Sequence, residues 1–505
     1  MEIVETHISW VFLTTDRAYK VKKPVVFPFL DYGDPRRRRE LCEEEVRLNR
    51  RLAPDLYLGV RGLVLRRGKW ELTDSEDPEA EEWAVEMRRF DERRTLAALV
   101  HAGTVDRAQV EEVGRLVADF HQRASQVTPS DPASRGVAAA VDENFDTLGS
   151  RGKLDPRELA AGRRFAQAFL ATRTGELDRR ALVGRVRDCH GDLRAEHVIL
   201  GDRVEIFDCV EFAPALRRID VASDLAFLVM DLAHARRDDL AAELVAAYRD
   251  AGGDPGDDGL VAFFAAYRAW VRAKVALLRA GELDASAPSH GASLKEARAF
   301  SRTAQRFAWR ARMPLLLVIC GGSATGKTHL ARRLAAVSGW PVLSSDVMRK
   351  ESQGLRPTTR APERAYSAGA SRQTYEELGR RARATLTGGG GVLVDATFRL
   401  CRDRIAFGRA LGAPAGAALF VECRAPVEEL AHRAAARECD PARVSDADLG
   451  QVELQRREFE PLDEVPPRDH VVLRTDRPVD EIVDDVEGAL DARLLTSCAG
   501  ATTAK

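Results

Sequence analysis

The chain has 505 residues, 45% of them hydrophobic and 31% charged, and a net charge of −2. This length exceeds one ordinary hydrophobic core and predicts two or three domains. The charge balance argues against nucleic-acid and membrane-surface partners, and no apolar run reaches the roughly 18 residues of a membrane span. We expect a cytoplasmic protein, because the eight cysteines form no zinc or disulfide pattern and no signal peptide is evident.

The first part of the chain predicts strands around one helix, followed by a mainly helical region. Alternating apolar residues predict a hairpin around Thr15 and Asp16. After Asp91 the apolar spacing becomes helical. The predicted elements are strands at 8–14, 18–22, 56–65 and 70–72, helices at 35–52, 110–124 and 162–170, loops at 127–136, strands and loops at 183–212, helices from 220 onward, including 241–248 and 260–278, and a last helix at 293–313.

From Leu315 strands and helices alternate, which predicts a parallel sheet. The change of pattern predicts a domain at 1–312, a second domain at 313–495 and a flexible tail at 496–505. The candidate strands of the second domain are 315–320, 341–344, 392–395, 417–422 and 471–473.

A glycine-rich run, GGSATGKT, stands between a buried-strand pattern and a helical pattern. In this context it predicts a P-loop, whose backbone N–H groups and helix N-terminus bind phosphates. Lys327 would reach the β- and γ-phosphates, and the Thr328 hydroxyl would bind Mg²⁺. No guanine signature follows, so the predicted cofactors are ATP and Mg²⁺. The nucleotide-binding candidates are Gly321, Gly322, Ser323, Ala324, Thr325, Gly326, Lys327 and Thr328.

A second motif, CHGDLRAEHVIL at 189–200, is followed by VEIFD at 204–208. It resembles the catalytic loop of the aminoglycoside phosphotransferase and choline kinase group, a branch of the protein-kinase-like fold. The resemblance implies a bilobal domain, with an N-lobe at about 1–90 and a C-lobe at about 91–312. It also implies that Asp192 is catalytic and that His197 and Asp208 are metal ligands.

The strand at 18–22 resembles the one whose lysine pairs with the α- and β-phosphates in that group. We predict Lys20 for this role, with Lys22 as the second choice. One of three consecutive glutamates, 43–45, would form an ion pair with the lysine, and Glu45 is preferred because it stands near the buried edge of its helix. Downstream, we predict that Asp220 buttresses the catalytic loop and that Asp224 serves as a cap or loop support.

Two features depart from that group. No G-x-G-x-x-G loop precedes Lys20, and His197 replaces the usual asparagine. Imidazole is a poor ligand for a hard ion such as Mg²⁺. Three alternatives follow: weak metal binding by His197, a single metal held by Asp208, or a slow or inactive domain.

Asp346 ends the second strand of the C-terminal domain, and Arg349 follows it. This arrangement resembles small-molecule and polynucleotide P-loop kinases, including gluconate kinase-like and zeta-toxin-like enzymes. The resemblance implies that Asp346 is the general base and that Arg349 holds an anionic part of the acceptor. The alternative for Asp346 is a helix N-cap.

Three further residues extend the predicted C-terminal site. Asp395 ends the third strand and would either hold Mg²⁺ through water or contact the acceptor. Arg433 and Arg437 share one helix face, as lid arginines that close over the phosphoryl group do. The alternative for this pair is a solvated basic face. Residues 440–448 would form the mobile loop of the lid.

The whole chain resembles two-domain proteins that join an aminoglycoside-phosphotransferase-like domain to a P-loop kinase domain. The resulting hypothesis is a multidomain α/β and α+β fold that acts as a bifunctional kinase on the hydroxyl of a small-molecule acceptor. The alternatives are a degenerate N-terminal ligand-sensing module beside an active P-loop domain, and a nucleic-acid 5′-kinase. The sequence does not identify the acceptor or the oligomeric state.

Overall fold

The computed structural model describes residues 2–6, 8–27, 30–313, 315–412, 418–438, 446 and 449–502. These residues fall into two compact units. The first combines residues 1–140 and 173–272, and the second combines 141–172 and 273–505. The domain boundary predicted at 312/313 differs from this division and stays a prediction. Within the described residues, no helix is both long and apolar enough to cross a bilayer.

An antiparallel six-stranded sheet, in the order β1-β2-β3-β8-β6-β7, forms one part of the first unit. Helix α1 begins where Asp34 accepts a hydrogen bond from the Arg36 N–H and Pro35 takes the first helical position. Its apolar face packs against the sheet through Cys42 and Val46. The elements are β1 (Glu2–Glu5), β2 (Ser9–Leu13), β3 (Arg17–Lys22), β4 (Val26–Phe27), β5 (Leu30–Asp31), α1 (Pro35–Asn49), β6 (Tyr57–Arg66), β7 (Lys69–Asp74) and β8 (Glu82–Arg88).

The next stretch of chain is mainly helical and carries two short antiparallel strand pairs, β10–β11 and β9–β12. Helix α7 is almost wholly buried and forms the centre of this region. Three of the helices, α4, α5 and α9, contribute residues to both units. The elements are α2 (Leu96–Ala102), α3 (Arg107–Arg123), α4 (Ala133–Arg151), α5 (Pro156–Leu182), β9 (Val186–Asp188), β10 (Val198–Leu200), β11 (Val204–Ile206), α6 (Pro214–Arg217), β12 (Arg218–Asp220), α7 (Val221–His234), α8 (Asp238–Asp250) and α9 (Asp258–Glu282).

The second unit is built on a parallel five-stranded sheet in the order β14-β15-β13-β16-β17. Every residue of the central strand β13 is buried, and successive side chains enter opposite cores. The elements are α10 (Pro288–Ala311), β13 (Leu315–Cys320), α11 (Lys327–Ser338), β14 (Val342–Ser344), α12 (Ser345–Glu351), α13 (Ala368–Thr387), β15 (Gly391–Asp395), α14 (Cys401–Leu411), β16 (Ala418–Arg424), α15 (Val427–Glu438), α16 (Leu449–Arg457), β17 (His470–Arg474) and α17 (Val479–Thr502).

These elements confirm the predicted fold class and all five strands of the parallel sheet, with ends that shift by up to two residues. One prediction was wrong in part. Helix α4 begins at Ala133, inside the predicted loop 127–136. The error comes from local composition, because small and polar residues alone do not exclude a helix. Helix α17 runs to Thr502, and the flexible tail at 496–505 stays a prediction.

Candidate active sites

The hairpin of β10 and β11 brings the predicted catalytic and metal residues of the first unit together. Val198 pairs with Ile206, so the residues flanking the hairpin, His197 and Asp208, lie close in space. His197 lies between the two carboxylates: its Nδ1 is 3.6 Å from Asp192 Oδ2, and its Nε2 is 3.7 Å from Asp208 Oδ2. The His197 Nδ1–H donates to the Asp192 carbonyl at 2.9 Å, which leaves Nε2 toward Asp208.

Strand β3 and helix α1 supply the predicted lysine and glutamate. Lys20 Nζ is 2.9 Å from Glu45 Oε1 and 2.7 Å from Asp208 Oδ1. The other two glutamates of the run are engaged elsewhere, Glu43 by Arg39 and Glu44 by Arg47 and Arg217. The structure therefore brings Lys20, Glu45 and Asp208 into one cluster.

A second lysine, which sequence reasoning ranked below Lys20, is buried in the same cluster. Lys22 is 1% exposed, contacts Glu45 Oε2 at 2.6 Å and forms a short ion pair with Glu211. Tyr32 donates to the same Glu211 at 2.6 Å. Burial opposes the charged form of each lysine, but the surrounding carboxylates raise the pKa of Lys20 and Lys22 well above the usual range. Neither Glu211 nor Tyr32 was predicted; the only sequence signal is that Glu211 stands three residues after Asp208.

Asp208 combines a strained backbone with a stabilised charge. Its φ is +63°, in the left-handed region that residues other than glycine rarely adopt. Burial opposes ionisation of its carboxyl, but Lys20 and His197 outweigh burial and hold its pKa well below the usual value. A permanently ionised oxygen donor beside His197 forms a donor set that fits a divalent cation, and the imidazole suits Mn²⁺ or Zn²⁺ better than Mg²⁺.

The Asp224 carboxylate supports the predicted catalytic loop through the loop's backbone. Its carboxylate accepts the backbone N–H groups of His190 and Gly191 at 2.9 and 2.8 Å, and it contacts His121 Nε2 at 3.1 Å. Asp220 instead caps α7 and pairs with Arg180 at 2.8 Å through both oxygens. The loop support predicted as one option for Asp224 is thus confirmed. The buttress role predicted for Asp220 was wrong, because its position just before α7 turns its carboxylate to the helix N-terminus.

The P-loop of the second unit has the backbone that its sequence predicts. Gly321 has φ +129°, and a Cβ there would lie 2.4 Å from the Cys423 carbonyl oxygen, so only glycine fits. Gly326 is left-handed at the start of α11, and Ala324 is also left-handed, with φ +67°. The Ser323 N–H of the loop donates to Gln455 Oε1 of α16 at 3.0 Å.

Lys327, Thr328 and Asp395 meet at the start of α11. Lys327 Nζ donates to the Gly322 carbonyl at 2.7 Å, and Thr328 Oγ1 donates to Asp395 Oδ2 at 2.6 Å. Burial raises the pKa of Asp395, and Lys327 and Thr328 only partly oppose it. The Thr328 hydroxyl and the Asp395 carboxylate are hard oxygen donors, the set that Mg²⁺ prefers.

A cleft of about 960 Å³ opens beside the P-loop and is lined by Lys327, Asp346, Arg349, Asp395 and Arg433. Asp346 lies in the first turn of α12, where Arg349 contacts it at 3.3 Å. The N-cap alternative for Asp346 was wrong, because the N-cap residue is Ser344.

Of the two predicted lid arginines, the structure describes the side chain of Arg433 but not that of Arg437. Arg433 Nη2 donates to the Thr475 carbonyl at 2.7 Å, and its Nη1 would be 3.2 Å from a Cβ on Gly326. It therefore lies against the P-loop rather than on a solvated face. The side chain of Arg437 and most of the predicted mobile loop 440–448 lie outside the described residues.

Sequence reasoning missed another carboxylate in this cleft. Asp403, in the first turn of α14, is 8% exposed and lines the cleft. Tyr375 also lines the cleft, and its hydroxyl is 3.0 Å from Thr397 Oγ1. In the sequence Asp403 stands among Arg399, Arg402 and Arg404, where it is not distinguishable from an ordinary helix-start acid.

Comparison with known proteins places these sites in a family. The AAA domain family matches residues 316–462, which include the P-loop, Asp346 and Asp395. The uncharacterized protein Rv2004c of Mycobacterium tuberculosis and the uncharacterized protein Mb2027c of Mycobacterium bovis are each 30% identical to this chain over 450 residues, covering 86% of both proteins. The chain belongs to the family of these mycobacterial proteins.

Solved structures that resemble this chain match one part of it at a time. A gluconokinase from Sinorhizobium meliloti covers 36% of this chain and 95% of its own length, at 21% identity and a TM-score of 0.27. A choline/ethanolamine kinase family protein from Mesorhizobium loti covers 59% and 87%, at 14% identity and a TM-score of 0.36. Because these TM-scores are low, the fold of each unit is described by its own strand order, as given above. The part of this chain that matches the AAA domain family, residues 316–462, is thus the part that carries the P-loop and most of the parallel sheet.

Proposed function

We propose that this protein is a bifunctional kinase that transfers the γ-phosphoryl group of ATP to a hydroxyl of a small polar acceptor at each of two sites. The observation that carries the proposal is the cleft of the second unit, where Asp346 faces the same space as Lys327 and the Thr328–Asp395 pair. A phosphate-binding loop, an oxygen donor set for Mg²⁺ and a separate carboxylate are the parts that phosphoryl transfer to a hydroxyl requires.

In the second unit, the P-loop N–H groups and Lys327 bind and orient the phosphates. Thr328 and Asp395 would hold Mg²⁺, which neutralises phosphate charge when bound. Asp346 accepts the proton of the acceptor hydroxyl as its oxygen attacks the γ-phosphorus. Arg433, which lies at the P-loop, stabilises the charge that develops on the transferring group. Arg349 positions Asp346 and the acceptor.

In the first unit, Lys20 binds the phosphates while Glu45 holds its ammonium group in place. Asp208 and His197 would hold the cation, and Asp192 orients the acceptor hydroxyl and accepts its proton. The arrangement supports this assignment because Asp208 lies within 4 Å of both Lys20 and His197.

The second candidate function is ligand sensing by the first unit, with turnover confined to the P-loop. Two observations favour it: His197 stands at the metal position, and Lys20 is engaged by Asp208 as well as Glu45. A sensor requires ATP or metabolite binding but no general base, so it predicts that Asp192 is dispensable for every turnover activity.

The test is ADP formation by the full-length protein with ATP, Mg²⁺ or Mn²⁺ and a panel of sugars, amino alcohols and aminoglycosides. Asp346→Asn should abolish one acceptor-dependent activity and Asp192→Asn another. If both variants retain every activity, the bifunctional proposal is wrong. Loss with Asp346→Asn alone, together with unchanged metal-dependent ATP binding in Lys327→Ala, would favour the sensor.

A further inference from the structure

The cleft of the second unit has two sides, set by the order of the strands. The P-loop follows the central strand β13, the residues after β14 and β15 lie on one side of it, and those after β16 and β17 lie on the other. Asp346, Arg349, Tyr366, Tyr375 and Asp403 therefore share one side, away from Arg433. Because Asp346 is the proposed base, this is the acceptor side.

Asp403 lines the acceptor side of the cleft and has no protein donor for its carboxylate. The residue is 8% exposed, and its side chain has no hydrogen bond or ion pair to any residue that the structure describes. Three of the four guanidinium groups near it are committed to other partners. Arg404 binds Glu464 and backbone carbonyls, Arg399 binds Glu458, and Arg349 contacts Asp346 and the Tyr366 ring. A carboxylate that faces the cleft without a protein donor is free to accept a hydrogen bond from a ligand.

The groups around Asp403 determine which kind of hydrogen-bond donor a ligand can offer to its carboxylate. An ionised carboxylate only accepts hydrogen bonds, so its ligand carries hydroxyl or ammonium hydrogens. Arg349, Arg399, Arg402 and Arg404 all act on Asp403 electrostatically and lower its pKa against the larger effect of burial, which raises it. Arg402, the strongest of these charges, forms no ion pair with any described carboxylate, so its positive charge disfavours a further cation at Asp403, whereas a neutral hydroxyl meets no such penalty. Arg349 adds a buried Nε–H without a partner among the described residues, a donor for an acceptor oxygen.

We infer that Asp403 and Arg349 form the acceptor subsite of the second unit, and that the acceptor is a polyhydroxylated compound without an ammonium group. One hydroxyl lies at Asp346 and reacts, and another donates to Asp403. In the reaction the oxygen of the first hydroxyl bonds to the γ-phosphorus, the bond from that phosphorus to the β,γ-bridging oxygen breaks, ADP leaves, and the hydroxyl proton passes to Asp346. This inference rests on the proposed kinase function of the same cleft.

The experiment uses the full-length protein with Asp192→Asn, which silences the proposed N-terminal site. ADP formation is measured with glycerol, D-glucose and D-gluconate as polyols, with ethanolamine and choline as cationic alcohols, and with ethanol as a monohydric alcohol. We expect acceptor-dependent ADP formation with at least one polyol and none with the cationic alcohols. A preference for ethanolamine or choline overturns the inference while leaving the kinase function intact. ADP formation that no alcohol raises above hydrolysis refutes the kinase function and, with it, the inference.

The decisive variant is Asp403→Ala in the same background. Loss of a hydrogen bond to a charged group should raise the KM of the polyol about 10- to 100-fold, with the KM of ATP unchanged. Asp403→Asn keeps the shape of the side chain and tests the charge if the alanine variant does not fold. Glu376→Gln, an acid on α13 paired with Arg372, is the matched control and should leave both KM values unchanged. An unchanged KM for the polyol in Asp403→Asn and Asp403→Ala overturns the assignment.

Discussion

Two lysines on β3 share one glutamate, and their burial separates their roles. Lys20 is 14% exposed and contacts Asp208, whose side chain is 40% exposed, whereas Lys22 is 1% exposed and contacts only buried partners. A buried charge that loses its partner is more costly than one that water can reach. We therefore predict that Lys20 binds ligand and that Lys22 holds Glu45 in place.

Replacing each lysine by methionine tests this division. Lys22→Met leaves Glu45 and Glu211 buried and short of a cation, so we expect the first unit to lose about 3–5 kcal/mol of unfolding free energy. Lys20→Met should cost less, because Lys22 still pairs with Glu45, but it should abolish metal-dependent ATP binding by the first unit. Urea unfolding measures the loss of stability. Calorimetric titration with ATP in the Lys327→Ala background measures ATP binding by the first unit. Equal destabilisation by both variants would contradict the division.

His190 predicts a pH dependence of stability. Burial lowers the pKa of its imidazole from 6.5 to about 4, and its Nε2–H donates to the Phe207 carbonyl at 3.0 Å. The folded protein keeps His190 neutral while the unfolded chain takes up a proton, so the stabilisation is complete above pH 6.5 and is lost as the pH falls toward 4. The loss amounts to about 3 kcal/mol in total and about 2 kcal/mol between roughly pH 7 and pH 5.

Urea unfolding of the wild type and of His190→Gln at a series of pH values measures this contribution as a difference between the two proteins. Other histidines and carboxyls titrate equally in both. A pH dependence that is identical in the two proteins would show that His190 does not titrate on unfolding.

At the scale of elements, helix α16 rests on the P-loop. Val452 packs against Ala324 of the loop together with Leu430 and Ala434, and Gln455 accepts the Ser323 N–H. That N–H belongs to the predicted phosphate-binding loop, and Ser323 and Gln455 line the same cleft. We therefore expect the Gln455 amide oxygen to compete with a phosphate oxygen for the Ser323 N–H.

Gln455→Ala should remove this competitor and tighten ATP binding about 2- to 10-fold, the worth of one ordinary hydrogen bond. Titration calorimetry with ATP in the Lys20→Met background measures the second unit alone. Glu453→Ala, on the exposed side of the same helix, is the control and should leave the affinity unchanged. Weaker binding by Gln455→Ala would show instead that Gln455 is a ligand of the bound nucleotide.

The elements and residues that could be predicted from sequence are those whose local pattern decides their structure. Strand β13 and the P-loop are continuous in sequence, and their buried run and glycines suffice. The partner of Lys20 was predicted because helical spacing places Glu45 toward the sheet. Glu211 and Asp403 were missed because their importance comes from burial beside sequence-distant groups, which no local pattern records.

At the scale of the whole molecule, the second unit includes helical residues that precede its sheet by a long stretch of sequence. Asp491 of α17 is 2% exposed and binds Arg312 Nη2 at 2.5 Å and Arg164 Nε at 3.1 Å. The Arg312 guanidinium also stacks on Phe165, 4.5 Å from the ring centroid. A boundary at 312/313 would separate Asp491 from both arginines. Local sequence patterns could not reveal that residues 141–172 belong to the second unit, because these residues precede the P-loop by more than a domain's length.

Asp491→Ala should therefore destabilise the second unit by about 3–5 kcal/mol, because it leaves the buried Arg312 without its carboxylate. Asp480→Ala, which removes the exposed partner of Arg333 on the same helix, should cost no more than about 1 kcal/mol. Urea midpoints of the two variants measure the difference. A midpoint for Asp491→Ala equal to that of Asp480→Ala would mean that the predicted boundary, rather than the recruited helices, delimits the cooperative unit.

Residues from two neighbouring segments contact the P-loop and fix its backbone. Gly321 lies directly under the Cys423 carbonyl, and the Thr475 hydroxyl donates to the Thr325 carbonyl at 2.6 Å. The curve of the loop is thus fixed by its neighbours before any phosphate arrives, and little chain entropy is left to lose on binding. We therefore expect the shape of this loop to select among anions and to favour polyphosphate chains that match its curve over single phosphate ions.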